Sequence, residues 1–211
     1  MKVGIVGSGT VAQTLALGLS ERDYSIMMGT RDPAALSGRL PAGTGIRVAT
    51  PDETAQFADL AILAVKGTAA LSVLQEVKYA LSGKTLIDTT NPIADAAAQD
   101  GVLEFFTGPN ESLFETLQAA APDVSMVKAF NSVGAGQMIA PQYETGTPTM
   151  FIAGDDSVAK DQVSTLLKDV GWEVADMGTH RAARAIEPLC MLWCIPGLRE
   201  NSWTHAFKLL R

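Results

Sequence analysis

Histidine and cysteine are almost missing from this chain, with two of each in 211 residues. Two cysteines cannot make a disulfide framework, which suits a reducing compartment. His180 and His205 form no metal-ligand spacing, and neither a Ser-His-Asp arrangement nor a paired-carboxylate site can be read. Basic charge is also scarce. Lys and Arg total 16 against 23 Asp and Glu, a net charge of −7, so the footprint for nucleic acid or an anionic membrane is absent. Any bound anion must be held by local geometry rather than by a global positive field. No apolar run approaches the ~18 residues of a membrane span. Near the N-terminus Lys2 is the only early cation, and Gly4 and Gly7 interrupt the apolar run, so no secretory leader is read. Internal repeats and low-complexity tracts are likewise missing. A cytoplasmic protein is expected.

What is present is an ordinary globular composition, 47% apolar and 18% charged, long enough for one sizeable core or one domain with an appendage. The informative stretch comes first. Val3-Gly4-Ile5-Val6 reads as a strand, and Leu15, Leu17 and Leu19 mark a helix soon after. Between them Gly7-Ser8-Gly9-Thr10-Val11-Ala12 fits the G-x-G-x-x-G/A pattern of dinucleotide sites. The first glycine permits the tight turn, and the second lets backbone approach a pyrophosphate. The small third residue, Ala12, lets helix pack on strand. The opening helix points its free N–H groups at the phosphates.

Further strands are predicted at 24–28, 46–48, 60–65, 84–88 and 124–129, alternating with helical patterns. This argues an α/β fold with a doubly wound, mostly parallel sheet of the Rossmann type over residues 1–145. Residues 146–211 read as a small extension: strand 147–154, helix 157–170, strand 172–176, then helix 184–195. Pro196-Gly197 is expected to stop that helix, with Trp203, Ala206, Phe207 and Leu210 marking another. Ligands of such sheets lie along the carboxyl ends of the strands. Residues 7–12, 29–31, 65–68, 89–92 and 130–133 therefore face one crevice.

Within it, Gly29-Thr30-Arg31 occupies the place about 20 residues past the glycines where an NAD site carries an acid. Thr30 can donate to a phosphate oxygen and Arg31 can stack on the adenine or clamp the 2′-phosphate, which favours NADP, or else Arg31 is a solvated loop residue. Asp32-Pro33 reads as an N-cap with proline following, and Thr68 as a cap for the helix through Leu71 and Leu74. Val65, Lys66, Asn91, Pro92 and Asn131 complete the candidate cofactor contacts. Lys66 is placed to meet a phosphate or to protonate a carbonyl, or else is a solvated loop lysine. Asn131 is placed to meet the nicotinamide carboxamide, or else serves a turn or cap. Cys190 and Cys194, four apart on an apolar helix face, read as core thiols. Trp193 and Trp203 read as packing or interface aromatics, and a homodimer is expected.

These residues together resemble the NADPH:deazaflavin (coenzyme F-420-dependent) oxidoreductases and their relatives, which include the cytosolic domain of the six-transmembrane metalloreductases. The resemblance runs over nearly the whole chain. It is carried by the glycine motif, by Gly29-Thr30-Arg31 and Asn91-Pro92, by Lys128-Ala129-Phe130-Asn131-Ser132-Val133-Gly134, and by Ala183-Arg184-Ala185-Ile186-Glu187-Pro188-Leu189. It implies NADP across the strand ends and a nicotinamide pocket roofed partly by the C-terminal helices. It also implies direct hydride transfer to coenzyme F-420 or a flavin as co-substrate, with no catalytic side chain. Val65-Lys66-Gly67 and Phe130-Asn131-Ser132 stand where deazaflavin-using members carry a proline-containing loop and a histidine. That departure leaves NADP binding in place and leaves the acceptor open among a flavin, a ferric chelate and a small carbonyl compound.

Overall fold

A computed structural model describes residues 1–210. Six strands form one parallel sheet: β1 (Lys2–Val6), β2 (Ser25–Gly29), β3 (Arg47–Ala49), β4 (Leu60–Leu63), β5 (Thr85–Asp88) and β6 (Ser125–Lys128). Their spatial order is β3-β2-β1-β4-β5-β6, that of dinucleotide-binding doubly wound folds. Helices α1 (Thr10–Ser20), α2 (Pro33–Ser37), α3 (Pro51–Phe57), α4 (Gly67–Val77) and α5 (Leu113–Ala120) connect or flank the strands. The central strand β4 is buried at all four positions, which is why it is apolar throughout rather than alternating. Side chains then separate by face. Ile5, Leu15, Leu19 and Ile62 join one apolar cluster, while Val6, Leu63, Leu74 and Leu117 join the other.

The tail adds β7 (Thr149–Ile152), α6 (Ser157–Asp169) and β8 (Glu173–Asp176), the two strands pairing in parallel. An antiparallel bridge between Lys128 and Ala153 ties this unit to the edge of β6. Val163, Leu166 and Leu167 of α6 pack into the same cluster as Ile5 and Leu15, so the tail shares the core of the sheet.

The last helix differs from its expected form. α7 runs unbroken over Ala183–Glu200 and contains both Pro188 and Pro196. Proline at 196 removes one intrahelical hydrogen bond, but the turn around it is held by packing. Trp203 lies on Gly197, where a Cβ would collide with its ring, and the Arg199 stem lies against Gly101. The helix ends instead at Asn201, in the left-handed region at φ 54°. The helix expected around Trp203, Ala206 and Phe207 does not form either; these residues belong to an irregular strap. Its backbone is engaged elsewhere: the Thr149 N–H donates to the Phe207 carbonyl at 2.9 Å, and the Leu209 N–H donates to Thr149 Oγ1 at 3.1 Å. The apolar spacing was helical, but tertiary hydrogen bonds decided the conformation.

Candidate functional site

The strand ends open onto one elongated cavity of about 1130 Å³, ample for a ligand larger than a typical drug. It runs from the end of β2 (Gly29, Thr30, Arg31), past the turn 7–11, to the ends of β4 (Val65, Lys66) and β5 (Asn91). Ten of the thirteen candidate contacts therefore meet: Gly7, Ser8, Gly9, Thr10, Val11, Thr30, Arg31, Val65, Lys66 and Asn91. The other three lie behind the wall. Ala12 is fully buried on the sheet side of α1, the packing role expected of it. Pro92 and Asn131 are buried as well, outside the residues that line the cavity.

The turn is built as its glycines require. Gly7 sits at φ 141°, and a side chain there would run into the Ala64 carbonyl; its N–H donates to the Gly29 carbonyl at 2.9 Å. Gly9 has open space where its Cβ would stand, so the approach to the backbone is clear.

Two helices begin at this cavity, and both begin unsatisfied. α1 starts after Gly9 and α4 after Lys66, neither with a side-chain cap and neither with an acid in its first turn. Thr68, expected to cap α4, lies inside the helix, because the chain turns helical immediately after the strand loop. Four other helices are capped, α3 among them although its Pro51 also lines the cavity, while α7 starts away from the cavity without a side-chain cap. Asp32 caps α2, Thr50 closes a capping box on α3, Ser112 caps α5 and Asp156 caps α6. Free N–H groups and the two positive dipole ends of α1 and α4 face the cavity, the arrangement that holds a pyrophosphate. With Arg31 free at the β2 end, the residues present fit a dinucleotide bearing a 2′-phosphate. Lys66 is solvent-facing, its Nζ 3.8 Å from Asp95 across the cavity mouth.

The matching family model is that of the coenzyme F420-dependent NADP oxidoreductases, over residues 2–92. A crystal structure of a candidate F420-dependent NADP reductase from Arthrobacter sp. FB24 superposes with a TM-score of 0.93. It is 30% identical, and all of both chains is covered. The chain belongs to this family. The F420-dependent NADP reductase of Methanothermobacter marburgensis is 28% identical over 204 residues, 91% of this chain and 90% of its own length. The metalloreductase STEAP3 of Rattus norvegicus is 31% identical over 201 residues. Of that protein the chain spans only 38% of the length, against 93% of its own.

In this member of the family the sequence motifs left two parts of the site unseen. One face of α4, formed by Ala69, Ser72, Val73 and Glu76, lines the cavity; its three- and four-residue spacing is the available signal. The second part lies beneath the β5 end. Lys128 is fully buried, and its three ammonium protons are all used. It donates to Asp88 Oδ2 at 2.8 Å, to Glu187 Oε1 at 2.9 Å and to the Thr90 carbonyl at 2.6 Å. Burial alone would lower the Lys128 pKa, but the charges of Asp88 and Glu187 and their hydrogen bonds outweigh it and raise it above the usual lysine range. Glu187, on α7, also accepts the N–H groups of Leu113 and Phe114 at 2.9 Å each, so it caps α5 from a distance. Asp88 Oδ1 accepts from the Thr90 N–H and hydroxyl.

His180 pairs with Asp155 at 2.6 Å, and neither lines the cavity. Cys190 is buried and Cys194 half-buried. The neighbouring Cys194 thiol and burial push Cys190 up. No group of three or more His, Cys, Asp or Glu side chains is set to hold a metal among the described residues. Among those residues no helix is long and apolar enough to cross a membrane.

Proposed function

We propose that the cavity binds NADP(H) and that the protein is an NADP(H)-dependent oxidoreductase. Hydride would pass between the nicotinamide and a deazaflavin such as coenzyme F-420, or a flavin-like acceptor stacked against it. The observation that carries this reading is the pair of uncapped helix N-termini beside the open Gly9 turn, with Arg31 free at one end. Gly7, Ser8, Gly9, Thr10 and Val11 cradle the pyrophosphate, and Ala12 keeps α1 close to the sheet. Thr30 and Arg31 take the 2′-phosphate. Val65 and Lys66 flank the middle of the dinucleotide, and Asn91 faces its nicotinamide end, backed by Pro92 and Asn131. Such a cofactor supplies the hydride chemistry itself, so the chain's task is to bind, orient and exclude water, with no acid or base required at the reacting carbon.

The test is NADPH oxidation with a panel of deazaflavin, flavin, ferric-chelate and small carbonyl acceptors. Turnover with a deazaflavin or flavin supports the assignment, and turnover only with a ferric chelate or a carbonyl compound moves the acceptor class. Tight NADPH binding with no turnover in any class would turn the reading to a non-catalytic NADPH-binding module. No residue of α7 or of the strap lines the cavity, which favours an acceptor-accessible site over a plugged one.

We further propose a cytoplasmic homodimer with residues 1–145 as the cofactor domain and 146–211 as an extension that carries the dimer interface rather than part of the cavity wall. Leu192 and Leu198, solvent-facing on α7, support an association surface there. A monomeric mass by light scattering at micromolar concentration would remove the dimer.

A further inference from the structure

The β5 end of the cavity rests on a network that continues well behind its wall. Asn91 lines the cavity, and Asn131 grips it through two reciprocal bonds. Asn91 Nδ2 donates to the Asn131 carbonyl at 2.8 Å, and Asn131 Nδ2 donates to Asn91 Oδ1 at 3.1 Å. The same Asn131 amide donates to the Ile186 carbonyl of α7 at 3.0 Å. The next residue of α7, Glu187, accepts from Lys128, whose ammonium also holds the carbonyl of Thr90, the residue before Asn91. Helix α7 thus reaches the loop 89–91 by two routes, one neutral and one charged.

Two further observations distinguish this segment from ordinary packing. Phe130, buried and bulky, sits at φ 62°, in the left-handed region that such residues avoid. Strain of this kind persists where the surroundings over-determine a position, and it gathers at functional sites. Asn131 Oδ1 is buried with no hydrogen-bond partner among the described residues, an open acceptor on the buried member of the amide pair. An apolar side chain at 131 would bring no unpaired acceptor, but it would neither orient Asn91 nor donate to Ile186.

We propose that Asn131 and Glu187 are positioning residues through which α7 sets the amide of Asn91 for the nicotinamide half of the bound dinucleotide. The proposal rests on the reading of the cavity as an NADP site. Neither residue lines the cavity; both act through the loop 89–91. Affinity for the nicotinamide half therefore depends on α7, whereas affinity for the adenine half, held at Gly9 and Arg31, does not.

The test is calorimetric titration of the full chain with NADP+ and, separately, with adenosine 2′,5′-bisphosphate, which carries the adenine half alone. In Asn131→Ala, NADP+ should bind roughly five- to tenfold more weakly, the scale of one oriented hydrogen bond, while the bisphosphate stays within about twofold of wild type. Glu187→Gln should show the same selectivity with a larger loss. Should that variant fail to fold, Asn131→Ala decides alone. Equal losses for both ligands would reduce the network to a structural one, and unchanged NADP+ affinity in Asn131→Ala would remove the positioning role. Failure of the wild-type protein to bind either ligand would instead overturn the cofactor reading itself.

Discussion

The two ends of the cavity are built on opposite plans. At the β2 end the groups that would meet the ligand are unengaged: Arg31 is exposed, and α1 starts without a cap. At the β5 end nearly every polar group is already paired, several layers deep, through Asn91, Asn131, Thr90, Lys128, Asp88 and Glu187. The first end holds binding capacity in reserve and contributes little to folding. The second uses its polar groups to join α5, α7 and the sheet, so orientation there comes at the expense of independence. Substitutions at one end should change affinity without stability, and at the other both together.

The largest effect is expected at Lys128. Lys128→Met leaves the carboxylates of Asp88 and Glu187 buried without their common partner, and removing one member of such a group destabilises by about 3–5 kcal/mol. Urea unfolding should show the loss as a lower midpoint. The raised pKa gives the effect a pH signature. A raised native value means the stabilisation is complete below the ordinary lysine pKa of about 10.4 and is lost as pH climbs through the native one. The contribution of the Lys128 ammonium should therefore persist above neutral pH and be lost only in strong alkali. A gap between wild type and variant that closes by pH 9 would mean that the ammonium is not the stabilising species.

The opposite end predicts the opposite pattern. Gly9→Asp places a capping carboxylate in open space at the start of α1. It should alter unfolding by only a few tenths of a kcal/mol, yet weaken NADPH by about 2–4 kcal/mol through repulsion of the pyrophosphate. Arg31→Ala should weaken NADPH by about 1.5–3 kcal/mol, the scale of a hydrogen bond to a charged group, with NADH little changed. Equal losses for both nucleotides would detach Arg31 from the 2′-phosphate, and a lowered unfolding midpoint in either variant would blur the contrast between the ends.

The same contrast explains what could be read in advance. Gly7, Gly9, Ala12, Thr30 and Arg31 act within a few residues of a strand end, so their spacing along the chain is their geometry. Asp32 also caps where local chemistry says it should. The buried network is assembled across the fold: Glu187 meets Lys128 from 59 residues away and Leu113 from 74. One trace of it was legible. Asp88 and Lys128, opposite charges closing two otherwise apolar runs, are register partners in neighbouring strands. The alternation of strands and helices predicts that adjacency, yet nothing local announces that Glu187 comes to complete the site. The end of α7 and the strap were misread for the same reason: Trp203 on Gly197 and Phe207 against Thr149 are contacts that a periodicity cannot contain.

The mildest test separates the buried tie between α5 and α7 from an outer one joining the same helices. Arg184 on α7 donates to Glu115 on α5 through Nε and a terminal nitrogen, at 2.7–3.1 Å. Arg184, with Ser112 assisting, holds the Glu115 carboxyl below the usual range, though partial burial opposes this. A depressed native value means that the pair stabilises above the ordinary glutamate pKa of about 4.3 and loses that contribution as pH falls through the lower native one. Because the pair faces solvent and is screened, Arg184→Ala should shift the melting temperature by no more than about 3 °C at pH 7, and by less as pH falls through the lowered native value of Glu115. NADP+ affinity should be untouched, since this tie reaches α5 without reaching Asn91. If Arg184→Ala weakened NADP+ as Asn131→Ala is expected to, any loosening of α7 would suffice, and the particular path through Ile186 and Asn131 would lose its significance.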